Sequence, residues 1–482
     1  MRALRNWSVR HASALWRLYR HLAARAPALH GVVRSVGAAR VERLLAPVER
    51  QLKGAFFDCR MCGDCRLSST GMACPMGCGK QMRNGPCGGV RADGGCEVHP
   101  EMRCVWLDAT EGDLRIDPKH TPTWTQRVPA LDWRLQGRST WLQAITVSRR
   151  AEPEPGPGSP ASAAPAAAAQ EAVSALERAC RAWHAQRRFI VTVEIAPPDS
   201  PDPQPLIERA RRFHGLVDAI NITDGAGANC HMSSVAAASV LTAAGIEPVC
   251  QVGCRDRNRI AVQGDVLGAA ALGVRNVLCL TGDDVSQGDH PQAKPVFDLD
   301  AVNLLHILRG MRDEARYASG RPLEQAPRLF LGATANPFVA PFAERVANLE
   351  RKIDAGARFI QTQFCFDLGL LEDFMRAVRA RGLHERAAVI VGVGTLPSAK
   401  ALRWMADHVP GVRVPEAVTE RIAAAADPRA EGVRVAVETI HALRRIEGVA
   451  GVHLMGHRNE ATLARIIVDA GLRTPRVETE IA

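Results

Sequence analysis

No stretch of about 18 uncharged apolar residues occurs in the 482-residue chain, which excludes an ordinary membrane-spanning helix. The basic start has no clean apolar core leading to a small-residue cleavage site, so no secretory signal peptide is expected. Acidic residues are scarce at that end. Residues 1–57 hold ten Arg and one Lys against Glu42 and Glu49 alone, which accounts for +9 of the net +10. The segment carries no nucleic-acid-binding motif. It reads as a basic helical arm with a solvated face; an acidic lipid surface or an acidic partner are the alternatives. It is Arg-rich and acid-poor, as mitochondrial presequences are, yet only moderately rich in Ser.

What the chain does contain is globular in balance. Hydrophobic residues make up 46% and charged residues 23%, and the length favours two or three domains. Fourteen cysteines are present, eight of them between Cys59 and Cys104 and six scattered from Cys180 to Cys365. A secreted disulfide scaffold would be small and would not adjoin a large α/β unit. Clustered thiols without a secretion signal point to metal binding in a reducing compartment, so a cytoplasmic location is expected.

Composition divides the chain into a basic helical arm (1–55), a Cys- and Gly-rich domain with an extension holding Trp124, Trp133 and Trp141 (56–150), a Pro/Ala linker (151–175) and a large C-terminal unit (176–475). In the last, short apolar runs alternate with helical patterns. The runs are 189–195, 216–222, 247–252, 274–281, 328–333, 357–363, 387–393 and 449–455. Eight such units predict an α/β chain folded as a (β/α)8 TIM-type barrel, preceded by a small Cys-rich metal-binding domain and the helical arm. An open doubly wound sheet would more often place a Gly-rich dinucleotide turn after its first strand, and VEIAPPDS is no such turn.

Chemistry in such barrels sits at the C-terminal strand ends. Polar residues there are Glu194; Asn221, Thr223 and Asp224; Gln251, Arg255, Asp256 and Arg257; Thr281, Gly282, Asp283 and Asp284; Asn336; and Gln361 with Gln363. One of them alone would be a cap or turn residue, but six consecutive strand ends describe a polar pocket with apolar walls. Gly282 lets backbone N–H groups approach an oxygen closely, and Arg255 and Arg257 could pair with phosphates, so a phosphate-bearing or planar cofactor is expected.

The order of motifs resembles the methylenetetrahydrofolate reductase family over about 189–472. VEIAPP, INITDGAGA, LTGDD and ERKIDAGARFIQTQFCFD follow one another as that family's motifs do. The resemblance implies a flavin enzyme, with FAD as the cofactor and FMN as the alternative, acting on a folate. It gives Glu194 the role of general acid as the methylene bridge opens and sets Asp283 against the pterin. Gln363 would bind folate, with Phe364 and Phe366 near or beneath the site. Thr223, Gln251, Thr281, Gly282 and Lys352 fall at flavin-binding positions. A carboxyl at a strand end in a partly dry pocket suits proton transfer; the plainer alternative is a Glu that fixes a loop. The sequence departs from the family pattern at Gln251 in place of His, Thr281 in place of Arg and Arg345 in place of Asp. HLMGHRNE stands where Leu-Asn-Arg is usual, so Arg458 is an imperfect substitute.

The stretch from Cys59 to Trp106 resembles a Cys-rich domain fused to, or encoded beside, these reductases in acetogens and some other bacteria, which implies an electron relay or scaffold. Cys59, Cys62 and Cys65 lie in one tight loop, and Cys74, Cys78, Cys87, Cys96 and Cys104 supply five more thiols. Eight thiolates satisfy two zinc ions, one zinc and one 4Fe–4S cluster, or two clusters. The compact first three favour at least one cluster, while a structural zinc staple is the close alternative. His99 is read as a surface residue. The expected reaction is reduction of 5,10-methylenetetrahydrofolate to 5-methyltetrahydrofolate, or its reverse, with electrons from NAD(P)H or a redox partner protein; a homo-oligomer is compatible. A zinc-dependent folate or homocysteine methyltransferase and a non-catalytic redox subunit are the alternatives.

Overall fold

The computed structural model describes residues 2–117, 127–146, 173–409 and 411–474. Almost all of the linker segment, and Trp124, lie outside the described residues. Two compact units form: residues 1–86 with 99–173, and residues 87–98 with 174–482.

The first unit is helical around the Cys-rich loops. Its helices are α1 (Arg2–Arg10), α2 (Ala12–Arg25), α3 (His30–Val36), α4 (Ala38–Phe57), α5 (Val105–Ile116) and α6 (Thr140–Thr146). The basic segment does not float free, because Ala12, Leu15 and Trp16 of α2 pack with Leu67, Met72 and Ile116. Both acids of that segment turn inward. Glu42 accepts the Ser139 N–H at 2.7 Å. Glu49, 1% exposed, accepts from Lys53 Nζ at 2.6 Å, from Ser139 Oγ at 2.6 Å and from Thr140 Oγ1. Burial alone would raise the Glu49 pKa, but these donors hold it below the ordinary value. The pair thereby ties α4 to the start of α6.

The second unit is a closed parallel barrel with strand order β1 to β8 in sequence. The strands are β1 (Ile190–Ile195), β2 (Ala219–Ile222), β3 (Pro248–Gly253), β4 (Asn276–Leu280), β5 (Phe330–Ala335), β6 (Phe359–Phe364), β7 (Ala388–Gly394) and β8 (Val449–Met455). Each of the eight apolar runs read from the sequence overlaps one strand, with β3, β5, β6 and β7 running one or two residues further. They are apolar on both faces because one face meets the interior and the other meets helices. Helix α7 (Ala175–Gln186) precedes β1. Around the barrel run α8 (Gln204–Arg211), α9 (Ser234–Ala243), α10 (Arg259–Ala271), α11 (Ala301–Glu314), α12 (Phe342–Asp354), α13 (Leu368–Ala380), α14 (Leu383–Arg386), α15 (Ala399–His408), α16 (Glu416–Ala424), α17 (Pro428–Leu443) and α18 (Glu460–Asp469).

The N-terminal end of the barrel is plugged. Ser174 caps α7 by accepting the Glu177 N–H, and Leu176, Cys180 and Trp183 pack against Ile190, Leu278, Phe330 and Phe359 at the strand starts. Burying each large plug side chain contributes about 1.5–3 kcal/mol. The Phe330 and Phe359 rings stack with centroids 5.3 Å apart. With that end sealed by apolar packing, the polar positions of the strands lie towards the other end.

Candidate active site

Residues two apart share a strand face, so Ile190, Thr192 and Glu194 climb the inside of β1 from the plug towards the C-terminal mouth. Above the plug the interior turns polar. Thr192, Asn221, Gln361 and His453 are all buried there, from β1, β2, β6 and β8. Such groups are costly to bury unless paired. Here Asn221 Nδ2 donates to Gln361 Oε1 at 2.6 Å, and Gln361 Nε2 donates back to Asn221 Oδ1 at 3.1 Å. Gln361 Nε2 also reaches Thr192 Oγ1 at 3.2 Å, and Thr192 Oγ1 lies 2.9 Å from His453 Nδ1.

This layer supports Glu194. Gln251 Nε2 donates to Glu194 Oε2 at 2.9 Å, and His453 Nε2 lies 3.7 Å from the same oxygen. His453 Nδ1 faces the Thr192 hydroxyl and, at 3.4 Å, the Gln361 amide N–H, a set of neighbours that suits the tautomer with its proton on Nε2, towards Glu194. One carboxylate is thus flanked by an amide and an imidazole over a hydrogen-bonded floor, which is the arrangement a proton-transfer group needs. Neither Thr192 nor His453 was among the candidates from the sequence, because both lie inside apolar runs. The period-2 position of Thr192 relative to Glu194 was the signal that could have found it.

The other candidates distribute around the mouth. Thr223 is 3% exposed, and its Oγ1 is buried without a hydrogen-bond partner among the described residues. Asp283 Oδ2 accepts the Gly227 N–H at 2.8 Å, which ties the β4 loop to the β2 loop. Gly282 has φ +97°, and a Cβ there would meet Arg255 Cβ at 2.9 Å, so only glycine suits it. Thr281 Oγ1 accepts the Ala301 N–H at 3.3 Å, at the start of α11. Lys352 Nζ donates to Thr334 O at 2.7 Å, and burial together with the neighbouring Arg345 pushes its pKa down to about 8.

On β6 the register with β7 shifts between Gln361 and Phe364, a bulge that re-aims the intervening residues. Gln363 Oε1 accepts the Phe364 N–H at 3.0 Å, and the Phe364 and Phe366 rings stack with centroids 6.0 Å apart. A Cβ on Gly394 would strike the Phe364 ring at 2.7 Å, so the β7 glycine makes room for it.

Two arginines differ from expectation. Arg257 pairs with Asp224 at 2.6 Å and Asp265 at 2.8 Å, and Arg255 pairs with Asp256 at 2.8 Å. Their charge is matched by carboxylates rather than held ready for a phosphate. Arg345 is a clamp: it donates to Val339 O at 2.9 Å, Ala340 O at 2.7 Å and Cys87 O at 2.6 Å. Asn336 does similar work, donating to Gly88 O at 2.8 Å and Gly411 O at 3.0 Å. The segment 87–98 is therefore strapped to the barrel loops. Arg458 adopts φ 51°, beyond the end of β8.

The eight clustered cysteines are divided between the two units, six in the first and two in the second. Cys59, Cys62, Cys65 and Cys74 line a single cavity in the helical unit, with Lys53, Glu49 and Asp64 around it. A hydrogen bond from the Cys74 thiol brings the Cys59 pKa down to about 6, despite burial. Cys78 and Cys104 belong to the same unit, and Cys87 and Cys96 belong to the strap. The Cys87 thiol donates to Glu97 Oε1 at 3.1 Å. Among the described residues, no three His, Cys, Asp or Glu side chains stand as a preformed metal-binding group. Cys254 and Cys365 are buried, as expected for structural thiols, and burial pushes Cys365 up to about 12. No described helix is long and apolar enough to cross a membrane.

A plugged (β/α)8 barrel with polar side chains gathered above the plug belongs to the class of TIM-type barrels. The family follows from sequence comparison. The chain belongs to the methylenetetrahydrofolate reductase family, whose model matches residues 179–471. A second model, described as methylene-tetrahydrofolate reductase C terminal, matches residues 38–134, ahead of the barrel here. The probable methylenetetrahydrofolate reductase (NADPH) of Caenorhabditis elegans is 26% identical over 179 residues, covering 36% of this chain and 24% of that protein. Methylenetetrahydrofolate reductase 2 of Schizosaccharomyces pombe is 26% identical over 254 residues, covering 48% and 38%. The chain thus spans well under half the length of these relatives. Among solved structures, an uncharacterized Clostridium thermocellum protein that binds two copies of 5-methyl-5,6,7,8-tetrahydrofolic acid aligns with TM-score 0.43 and 15% identity, over 60% of this chain and 97% of that one.

Proposed function

We propose that the chain interconverts 5,10-methylenetetrahydrofolate and 5-methyltetrahydrofolate, with Glu194 as the acid. The observation that carries this reading is the placement of Glu194 between Gln251 and His453 at the mouth of a family barrel. As the methylene bridge opens, the departing folate nitrogen needs a proton, and Glu194 delivers it. Gln251 holds the carboxyl in place, and His453 stands by the same oxygen to accommodate the charge left behind. Gln363, Phe364 and Phe366 would bind the folate, with the stacked rings giving it an apolar wall. Asp283 would face the pterin.

A bound flavin would supply the hydride. The residues present fit such a group: Thr223 has a buried, unpartnered hydroxyl, and Gly282 leaves room where a side chain would not. Thr223, Gln251, Thr281, Gly282 and Lys352 would hold it, as FAD or FMN. Electrons would come from NAD(P)H or from a redox protein by way of the Cys-rich unit. Cys59, Cys62, Cys65 and Cys74 are the thiols best grouped to take a zinc ion or a 4Fe–4S cluster there.

The decisive experiment is Glu194→Gln. Turnover should fall by about a hundredfold or more while folate and flavin still bind. Unchanged turnover would remove Glu194 from the chemistry, and a purified protein that binds folate yet holds no flavin would favour a methyltransferase. Thr223→Val should lower flavin retention, read from absorbance per chain. Cys62→Ser should lower the metal content measured on protein purified without oxygen.

A further inference from the structure

The helices of the first unit expose many of their large apolar side chains. Seventeen large apolar side chains are exposed among the described residues, and ten of them fall between Trp7 and Leu52. They include Leu18, Leu22, Leu29, Val32, Leu44 and Val48, with Leu44 at 71% exposure. Lone exposed leucines are ordinary, but a concentration of this kind marks a surface that meets something apolar.

The charge on the same helices has one sign. All eight arginines from Arg10 to Arg50 are exposed, and none forms an ion pair with a described residue. The two carboxylates of the segment are withdrawn, Glu49 into its pair with Lys53 and Glu42 onto the Ser139 N–H. What remains outside is apolar and cationic, with Trp7 and Tyr19 among the aliphatic side chains and no exposed carboxylate from Asn6 to Phe57.

We propose that this face docks on an anionic phospholipid surface. Helices lying in a membrane interface combine aliphatic residues with Arg or Lys in this way. Charge complementarity selects anionic headgroups, each arginine adding to the attraction. A second copy of the chain would oppose arginine to arginine. Eight of the ten exposed apolar side chains are leucines and valines, with Trp7 and Tyr19 the other two, whereas protein hot spots favour aromatic anchors and under-represent Leu and Val. This inference stands on the helical unit alone and does not depend on the reaction proposed for the barrel.

The test is sedimentation of the full-length protein with vesicles of phosphatidylcholine alone or with about a third phosphatidylglycerol. Binding to the anionic vesicles should exceed binding to the neutral ones by at least tenfold and should weaken as salt rises. Arg40→Glu with Arg43→Glu should reduce it about tenfold, as should Leu18→Glu with Leu22→Glu. These side chains are exposed, so circular dichroism should show both variants folded. No binding to anionic vesicles at low salt would overturn the proposal. So would equal binding by the leucine variant, which would leave attraction to any polyanion. Light scattering that shows self-association lost in the leucine variant, without vesicle binding, would assign the face to a second copy.

Discussion

Gln361 holds more of the barrel's interior together than any other single side chain in the polar layer. Its amide meets Asn221, Thr192 and His453, and replacing it with Leu strands the Asn221 amide in a sealed layer. Gln361→Leu should cost about 1–3 kcal/mol, measured by urea unfolding. Glu49 offers a test with a pH signature. Its folded pKa lies below the usual 4.5, so its contribution is fully present above about pH 4.5 and is lost as pH falls through the lower folded value. Glu49→Gln should therefore destabilise the helical unit clearly at pH 7 and progressively less as pH falls below 4.5. At this scale the sequence was partly legible. Glu194, Gln251 and Asn221 stood out as polar residues at strand ends. His453 did not, because an imidazole inside VAGVHLM reads as one polar residue in a buried strand until its neighbours from β1 and β6 are known.

Among the elements, the strap of residues 87–98 has the least ordinary position. It bears two of the clustered cysteines, yet its packing is against loops after β5 and around Gly411. Gly411 sits at φ +75°, and a Cβ on it would lie 2.1 Å from Gly88 O. Gly411→Ala should push the strap away, seen as faster hydrogen exchange in 87–98 with the strands still protected. The eight strands were readable because near-continuous Val/Ile/Leu runs have few other uses in a chain of this composition. The strap was not readable. A Gly-rich segment without periodicity gives no indication of its neighbours, and the residues that hold it, Asn336 and Arg345, looked like site residues from their positions alone.

For the whole molecule, the consequence is that the sequence boundary and the spatial boundary disagree. The Cys-rich stretch reads as one domain, but residues 87–98 leave it for the barrel unit. A chain of 174–482 expressed alone would lack the strap. Arg345 would lose the Cys87 carbonyl and Asn336 the Gly88 carbonyl, both from buried side chains. Its melting temperature should fall by several degrees against the barrel transition of the full chain, and a peptide of residues 87–98 should restore part of the loss. No recovery with the peptide would show that the strap adds little to the barrel.

The strap also imposes an order in time. Gly88 and Asn336 are 248 residues apart in the chain. At roughly 5–20 residues per second of synthesis, about 10–50 s pass between the emergence of the strap and that of its anchor. During that interval Cys87 and Cys96 are on a nascent chain whose barrel does not yet exist. The strap can therefore take its final place only after Asn336, Arg345 and Gly411, which hold it, have been made.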